Sequence, residues 1–265
     1  MFEAIDLETY FARIGYTGAR APVLAVLHAI TQAHTESIPF ENLDVLLGHR
    51  IRLEPQALFA KLVTAHRGGY CFEQNGLLMQ ALMQLGFVVR PLSARVRLGT
   101  SDHSFVPPRT HMLLEVQLDG DTWLTDVGVG SASLTRALRF VADVEQPTPH
   151  ESRRLVRADD RWFHQILRGG QWSDVYEFTG ETMPFIDREV ASWYVSTHPD
   201  SHFRREMLVA RALPGGQRVT LLGRELKFWD VKTGVPSCTA VSAAELPSVL
   251  RRHFGIELPA DARLD

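Results

Sequence analysis

Apolar residues recur every three or four positions over the first 86 residues of the chain, which is the period of amphipathic helices. The repeat begins between Leu7 and Ile14, where Asp6 can cap a helix and Gly15 can end it. Pro55 suits the first turn of another helix. A further helix is predicted from Phe72 to Leu85. The first part of the chain is therefore predicted to be helical.

From Phe87 to about Phe178 the pattern changes to alternating apolar and polar positions between turn signals. Alternation of this kind is typical of half-buried strands, and short strands at this spacing indicate an antiparallel sheet or a small barrel. The predicted strands are Arg90–Leu98, His111–Leu118, Thr122–Val127, Arg153–Val156, Trp162–Leu167 and Trp172–Phe178.

The end of the chain mixes helix and strand patterns, and residues 181–190, which contain Pro184, are predicted to be a linker. We expect an α+β protein of three domains: a helical domain at 1–88, a β domain at 89–190 and an α/β domain at 191–265. The elements predicted in the last domain are a short helix, strands at Met207–Arg211, Arg218–Leu222 and Glu225–Phe228, and a C-terminal helix near Ala243–His253.

Composition narrows the class of protein. The 265 residues include 28 basic and 31 acidic side chains, for a net charge of −3, with 45% hydrophobic and 22% charged residues. This is ordinary globular usage, and it lacks the basic excess expected of a nucleic-acid-binding protein. No apolar run is long enough to span a bilayer, and the acidic first residues do not resemble a secretory signal. We therefore expect a cytoplasmic protein with neither nucleic-acid nor membrane partners.

The chain has two cysteines, Cys71 and Cys238, which lie too far apart in different contexts to suggest a disulfide framework. Cys71 follows the Gly68–Gly69 pair and precedes the helical pattern, so it is predicted to lie at a helix N-terminus. Backbone N–H groups and the helix dipole favour an anionic thiolate there, and Arg67 would add to the effect if it pointed inward. The alternative is a small buried apolar residue at the start of a helix.

A nucleophilic thiol needs a base, and the sequence between His111 and Asp126 offers one. Asp119-Gly120 is typical of a two-residue hairpin turn, which places Leu113 opposite Asp126. His111 lies on the same face of the sheet, diagonal to Asp126 and within hydrogen-bonding reach. The alternative is a half-buried strand histidine and an unrelated aspartate. If Cys71 lies nearby, the three residues form a cysteine-nucleophile triad.

Several segments resemble the arylamine N-acetyltransferases, and the resemblance extends over nearly the whole chain. The matching segments are 38–44 (IPFENLD), 67–75 (RGGYCFEQN), 110–111 (TH), 126–130 (DVGVG) and 196–203 (STHPDSHF). The resemblance implies an N-terminal helical bundle, a central antiparallel β-barrel and a C-terminal α/β lid. Their core is similar to that of papain-like and transglutaminase enzymes.

The resemblance also implies an activity. Cys71 would accept the acetyl group, His111 would be its base and Asp126 would orient His111. The acyl donor would be acetyl-coenzyme A (acetyl-CoA), and the acceptors would be aromatic amines and hydrazines. Transfer would follow a ping-pong mechanism through an acetyl-cysteine, without a metal, in a monomer or homodimer.

The loop that follows Asp126 would border the acyl-donor cleft in this resemblance. Many relatives have Phe where this chain has Val129, and the smaller side chain should widen the pocket. The substrate-binding residues that the resemblance implies are Phe40, Val96, Thr110, Gly128, Val129, Gly130, Ser131 and Phe203.

Two other interpretations remain open from the sequence. The same triad could serve a papain-like or transglutaminase-like enzyme. A binding module that keeps the fold would need Cys71, His111 and Asp126 to be coincidental. His198 and His202 have the spacing of metal ligands, but Pro199 between them interrupts a helix, so no metal site is expected.

Overall fold

The computed structural model describes residues 4–230, 236–259, 262 and 264, and it confirms the predicted α+β class. No helix among these residues is long and apolar enough to cross a membrane. The helices are α1 (Leu7–Ile14), α2 (Leu24–Ser37), α3 (Leu43–Leu46), α4 (Pro55–Phe59, extended by a π turn at Ala60–Thr64), α5 (Cys71–Gln84), α6 (Phe185–Thr197) and α7 (Leu246–Val249, extended by a π turn at Leu250–Phe254).

The first helix begins and ends at the residues that the sequence predicts. The Asp6 carboxylate accepts the backbone N–H groups of Glu8 and Thr9 at 3.0 and 3.1 Å, which satisfies donors that have no partner inside the helix. Gly15 ends α1 in the left-handed conformation, with φ of 67°. Pro55 occupies the first turn of α4, as predicted.

Seven antiparallel strands form a nearly closed barrel. Its strands are β2 (Val88–Val96), β3 (His111–Leu118), β4 (Asp121–Thr125), β5 (Leu138–Arg139), β6 (Arg153–Ala158), β7 (Arg161–Arg168) and β8 (Gln171–Thr182). Their order is β5-β4-β3-β2-β8-β7-β6. The segment after β5 returns to β6 through isolated bridges, Ala142 to Leu155 and Gln146 to Arg153, and so brings the two edges together.

The β3–β4 hairpin has the predicted register. Asp119 and Gly120 both have positive φ, 52° and 82°, as a type I′ turn requires. Leu118 pairs with Asp121 and Leu114 pairs with Thr125. Asp126 therefore follows the end of β4 on the side of the hairpin where β3 begins.

A second sheet joins the two ends of the chain. Its strands are β1 (Phe40–Glu41), β9 (Leu208–Leu213), β10 (Gln217–Leu222), β11 (Glu225–Asp230) and β12 (Ser237–Ala240), in the order β1-β9-β10-β11-β12. Phe40 pairs with Ala210, so a strand from within the predicted helical domain lies at the edge of the C-terminal sheet.

One local prediction was wrong. Residues 181–190 are not a linker, because β8 runs to Thr182 and α6 begins at Phe185. Pro184 lies at the helix N-cap, a place its fixed φ allows, and the exposed apolar residues of α6 obscure the helical pattern. The predicted C-terminal helix is present, although it begins at Leu246, three residues after Ala243, and β12 was not predicted.

Helix α5 lies at the centre of the molecule. Every residue from Cys71 to Leu82 is buried. Strand β3 packs against the helical core through Met112, Leu114 and Val116, whereas Leu113 belongs to the barrel interior. The two central elements thus bring the N-terminus of α5 close to the start of β3.

Candidate active site

Two glycines bring the chain into α5 at Cys71. A Cβ at Gly68 would collide with the carbonyl oxygen of Pro39, and one at Gly69 would lie 2.5 Å from a carboxylate oxygen of Glu73. Glu73 reaches back to accept the backbone N–H of Tyr70 at 3.0 Å, which satisfies a donor at the helix start. Cys71 is therefore the first residue of a helix, as the sequence predicts.

The structure brings Cys71, His111 and Asp126 together in a buried group. His111 begins β3, and its Nε2 lies 2.7 Å from Asp126 Oδ2. The side chain of Cys71 interacts with the same imidazole, and Nδ1 is the ring nitrogen that Asp126 leaves for it. The Cys71 Sγ lies 3.6 Å from the carbonyl oxygen of Thr110. A thiol, a base and an orienting carboxylate are thus connected in the order that nucleophilic catalysis requires.

The electrostatics of the group favour a protonated imidazole. Burial by itself lowers the pKa of His111, but the Asp126 carboxylate raises it to about 10, and the contact with Cys71 acts in the same direction. An imidazolium at neutral pH stabilises an anion beside it. A protonated His111 beside Cys71 can therefore stabilise negative charge that develops on Sγ during a reaction.

Two further residues contact Asp126, and neither was predicted from the sequence to have a role in the site. The side-chain amide of Asn75 donates to Asp126 Oδ1 at 2.8 Å and to the carbonyl of Met112 at 2.7 Å. Asn75 lies four positions after Cys71, on the same face of α5, and this spacing could have revealed it. Tyr176 interacts electrostatically with Asp126, and its ring centroid lies 5.1 Å from that of His111. Nothing in the sequence of β8 indicates this role.

The loop after Asp126 folds back on the triad. The N–H of Gly128 donates to Asp126 Oδ1 at 2.9 Å, and that of Leu134 donates to the Asp126 carbonyl at 2.7 Å. Gly128 lies so close to α5 that a Cβ would be 2.6 Å from the Cα of Cys71. The backbone of this loop is therefore part of the wall beside the thiol.

Aromatic side chains form a second part of the wall. The ring of Phe203 packs edge-on against Phe40 and Tyr70, with centroid distances of 5.9 and 5.5 Å. A Cβ at Gly130 would be 3.7 Å from the Phe40 ring. Phe40, Gly130 and Phe203 therefore share one region, next to the residue that precedes Cys71.

The remaining predicted binding residues lie elsewhere. Val96 is half-buried in β2, opposite Tyr176. Val129 packs into the barrel interior and is only 5% exposed. The carbonyl of Ser131 accepts a hydrogen bond from Arg168 at 2.6 Å. The contacts that place Val96, Val129 and Ser131 are therefore with the barrel.

Arg67 does not point freely toward the thiol. It pairs with Glu41 and Asp44 at 2.7 and 3.1 Å, while Lys61 pairs with Asp44 and Glu73 at 2.7 Å. Burial alone would raise the pKa of Asp44, but Lys61 and Arg67 lower it to about 2. The charge of Arg67 is therefore balanced by carboxylates, and the network anchors the segment that leads into α5.

The histidines considered as metal ligands have other contacts. His198 stacks on Tyr194 with a centroid distance of 4.5 Å, and His202 Nε2 lies 3.5 Å from Glu206. Within residues 4–230, 236–259, 262 and 264, no group of three or more histidine, cysteine or acidic side chains could hold a metal ion.

A thiol held by an imidazole, which is itself held by a carboxylate, is the machinery of acyl transfer through a cysteine, and the fold and site together define a candidate enzyme of that class. A family model described as N-acetyltransferase matches residues 23–263. The chain is 45% identical to the arylamine N-acetyltransferase of Mycolicibacterium smegmatis, over 96% of this chain and 93% of that protein.

Solved structures agree with this comparison. The arylamine N-acetyltransferase of Mycobacterium tuberculosis is 42% identical, with a TM-score of 0.91 over 95% of this chain and 94% of that one. That of Mycobacterium marinum in complex with coenzyme A is 39% identical, with a TM-score of 0.89 over 95% of this chain and 93% of that one. The chain belongs to the arylamine N-acetyltransferase family, and the protein is an acetyltransferase.

Proposed function

We propose that this enzyme transfers the acetyl group of acetyl-CoA to the nitrogen of aromatic amines and hydrazines through an acetyl-Cys71 intermediate. The observation that carries the proposal is the buried chain of contacts from Cys71 to His111 to Asp126, with 2.7 Å between His111 Nε2 and Asp126 Oδ2. The names of the relatives and the coenzyme A complex of the M. marinum protein support the donor and acceptor classes.

In the first half-reaction the Cys71 thiolate attacks the thioester carbonyl of acetyl-CoA. The bond between the acetyl carbon and the coenzyme sulfur breaks, and the leaving thiolate takes the proton from the His111 imidazolium. The N–H of Cys71, at the start of α5, is a candidate donor to the transient oxyanion. The products are acetyl-Cys71, neutral His111 and free coenzyme A.

In the second half-reaction the amine nitrogen attacks the acetyl carbon of acetyl-Cys71. Neutral His111 accepts the proton that the amine loses, and the bond to Cys71 Sγ breaks. This step restores the thiolate–imidazolium pair and releases the amide. An aromatic amine is neutral at pH 7, so it needs no deprotonation before it attacks.

The proposed substrate contacts lie on the two walls beside Cys71. The backbone of Gly128, Gly130 and Ser131 would approach the coenzyme, because this loop lies against the N-terminus of α5. Phe40 and Phe203 would contact the aromatic acceptor, since their packed rings offer an apolar surface. Thr110 would contribute through its backbone, which lies beside Cys71 Sγ. Val96 and Val129 would shape the site from the barrel.

The test is intact-protein mass spectrometry after mixing with acetyl-CoA, followed by a chase with an aromatic amine. One acetyl group should be added to the wild-type protein and to Cys238→Ser, and the amine should remove it. Cys71→Ala should gain none. Cys238→Ser is a matched control, because Cys238 is the exposed free thiol of β12, whereas Cys71 is buried.

Two results would contradict the proposal. A folded wild-type protein that gains no acetyl group would exclude acetyl-CoA as the donor and favour the hydrolase or amide-transfer alternative, which peptide amides would then test. An acetyl group retained by Cys71→Ala would assign the nucleophile to another residue.

Val129→Phe is expected to change selectivity among acceptors. The larger ring has to be accommodated where the loop meets the barrel, so kcat/KM for a two-ring aryl amine should fall relative to a one-ring amine by about 3- to 10-fold. The measurement is the ratio of the two kcat/KM values in variant and wild type. A thermal melt accompanies it, since overpacking destabilises by about 1–3 kcal/mol. An unchanged ratio in a folded variant would remove Val129 from the specificity determinants.

A further inference from the structure

A buried ionic cluster lies outside the triad and centres on Glu151. Its carboxylate pairs with three arginines, which come from two barrel strands and from the second sheet. The shortest nitrogen–oxygen distances are 3.2 Å for Arg153, 2.8 Å for Arg168 and 2.8 Å for Arg218. Arg153 and Arg218 have side chains that are 0% and 1% exposed, and Arg168 is 25% exposed.

The same arginines also hold the loop that follows Asp126. Arg168 Nη2 donates to the carbonyl of Ser131 at 2.6 Å, Arg153 Nη1 to that of Ala132 at 2.8 Å, and Arg218 Nη2 to that of Ser133 at 3.0 Å. The carbonyls of three successive residues are therefore fixed by three guanidinium groups, all of which share one carboxylate. We call these four side chains the Glu151 clamp.

The excess positive charge of the clamp explains why its arginines bind the carbonyl groups of the loop. The single negative charge of Glu151 balances only one of the three guanidinium groups, two of which are fully buried. The neighbouring His150 and His164 cannot balance the remaining positive charge, because histidine is never anionic. Burial lowers the pKa of both, which favours their neutral forms. A buried cation is costly unless polar groups replace its lost hydration, and the three loop carbonyls point the negative ends of their dipoles at the arginines. Movement of the loop would leave these cations with fewer partners.

Short contacts connect the clamped carbonyls to the thiol. The hydroxyl of Ser133 accepts the N–H of Val129 at 3.0 Å, and the loop closes on itself when Leu134 N–H donates to the Asp126 carbonyl. Gly128, in the same loop, lies directly against Cys71. The loop that the clamp holds is thus the same loop that lies beside the thiol.

We propose that Glu151, Arg153, Arg168 and Arg218 are positioning residues for the acetyl donor, because they fix the loop that holds the coenzyme against Cys71. They do not touch the reacting atoms. This inference rests on the proposed function, since it assigns the loop to the coenzyme side of the cleft. It predicts that loosening the clamp slows acetylation by acetyl-CoA more than acetylation by a small donor that lacks the coenzyme.

Arg168→Met is the variant for the test, because Arg168 is the most exposed of the three arginines and Met retains an apolar stem near the Trp229 ring. We expect the second-order rate of Cys71 acetylation by acetyl-CoA to fall about tenfold or more, mainly through weaker donor binding. Acetylation by p-nitrophenyl acetate and the discharge of acetyl-Cys71 by an amine should stay within about twofold of wild type. Arg168→Lys keeps the positive charge but loses the planar guanidinium that donates to Ser131 and Glu151 together. It should therefore recover part of the lost rate with acetyl-CoA.

Arg154→Met is the matched control, because Arg154 lies on β6 beside Arg153 but pairs with Gln165 and Trp172 instead of the loop. The rates of Cys71 acetylation by acetyl-CoA and by p-nitrophenyl acetate should both equal those of wild type. Equal losses with the two donors in Arg168→Met would overturn the inference, since the defect would then lie in the triad. Unchanged rates would overturn it too. If Arg168→Met does not fold, the ratio of the acetylation rates with acetyl-CoA and with p-nitrophenyl acetate is measured in Arg168→Lys instead, and an unchanged ratio overturns the inference. Wild-type protein that acetyl-CoA does not acetylate would instead refute the proposed function itself.

Discussion

Asp126→Asn is expected to lower kcat/KM by about 10³- to 10⁴-fold in a protein that still folds. One carboxylate oxygen accepts hydrogen bonds from Asn75 and Gly128, and the other faces His111. The amide of the variant has only one oxygen, so it cannot accept hydrogen bonds both from Asn75 and Gly128 and from His111. If the amide oxygen of the variant side chain keeps its hydrogen bonds to Asn75 and Gly128, the amide N–H faces His111 Nε2. Nε2 must then accept a hydrogen bond, so the ring proton lies on Nδ1. A protonated Nδ1 cannot accept a proton from Cys71.

The measurement is steady-state acetylation of an aromatic amine, with Asp121→Asn as the control. Asp121 lies on the same hairpin, but its side chain is 43% exposed and pairs with Arg139, so its variant should retain wild-type turnover. Full turnover by Asp126→Asn would show that Asp126 does not orient the base.

The same variant should also change how stability depends on pH. The folded pKa of His111 is raised to about 10, above its ordinary value of 6.5, so its contribution to stability is fully present below about pH 6.5. This contribution is lost as the pH rises through about 10. The difference in unfolding free energy between wild type and Asp126→Asn, measured in urea, should therefore shrink over this interval. A difference that stays constant would contradict the coupling of His111 to Asp126.

Gly128→Ala is expected to lower kcat/KM by about 100-fold or more. Gly128 does not have a left-handed backbone, so the effect would be steric and not conformational. The new Cβ would lie 2.6 Å from the Cα of Cys71, whereas carbon atoms in contact need about 3.5–4.0 Å. The loop or the start of α5 must therefore move by roughly 1 Å, a displacement that can cost about 100-fold in rate.

Gly76→Ala is the matched control for this prediction. A Cβ at Gly76 would meet the tip of the Leu58 side chain at 2.8 Å, and a flexible side chain can move where a backbone cannot. Activity within about threefold of wild type is expected for the control. If Gly128→Ala were equally active, close approach of the loop to Cys71 would not matter for catalysis.

The elements that carry the triad could be predicted because their signals are local. The Gly68–Gly69 pair and the repeat after it fix the N-terminus of α5, and the Asp119-Gly120 turn fixes the register of the hairpin. Once that register is set, His111 and Asp126 must be neighbours. That Cys71 lies beside them follows from the packing of α5 on β3, which only the family resemblance anticipated.

The residues that support the site were not predicted, because their partners are distant in sequence. Tyr176 reaches Asp126 across the barrel, and Arg218 reaches Glu151 from another sheet, 67 positions away. A single sequence gives no signal for such pairs. The linker prediction failed for a related reason, since α6 exposes Ile186, Val190 and Trp193 and so lacks a clean apolar stripe.

The short strand β1 also affects how the enzyme is made. Asn42, just after β1, binds the carbonyl of Phe203 and the N–H of Leu208, which are 161 and 166 positions further along the chain. The segment that leads to Cys71 therefore cannot complete its contacts until β9 has left the ribosome. Contacts this distant in sequence slow folding. An emerging chain cut short before β9 would keep an unpaired strand edge and would lack a finished active site, so activity cannot begin before β9 has been made.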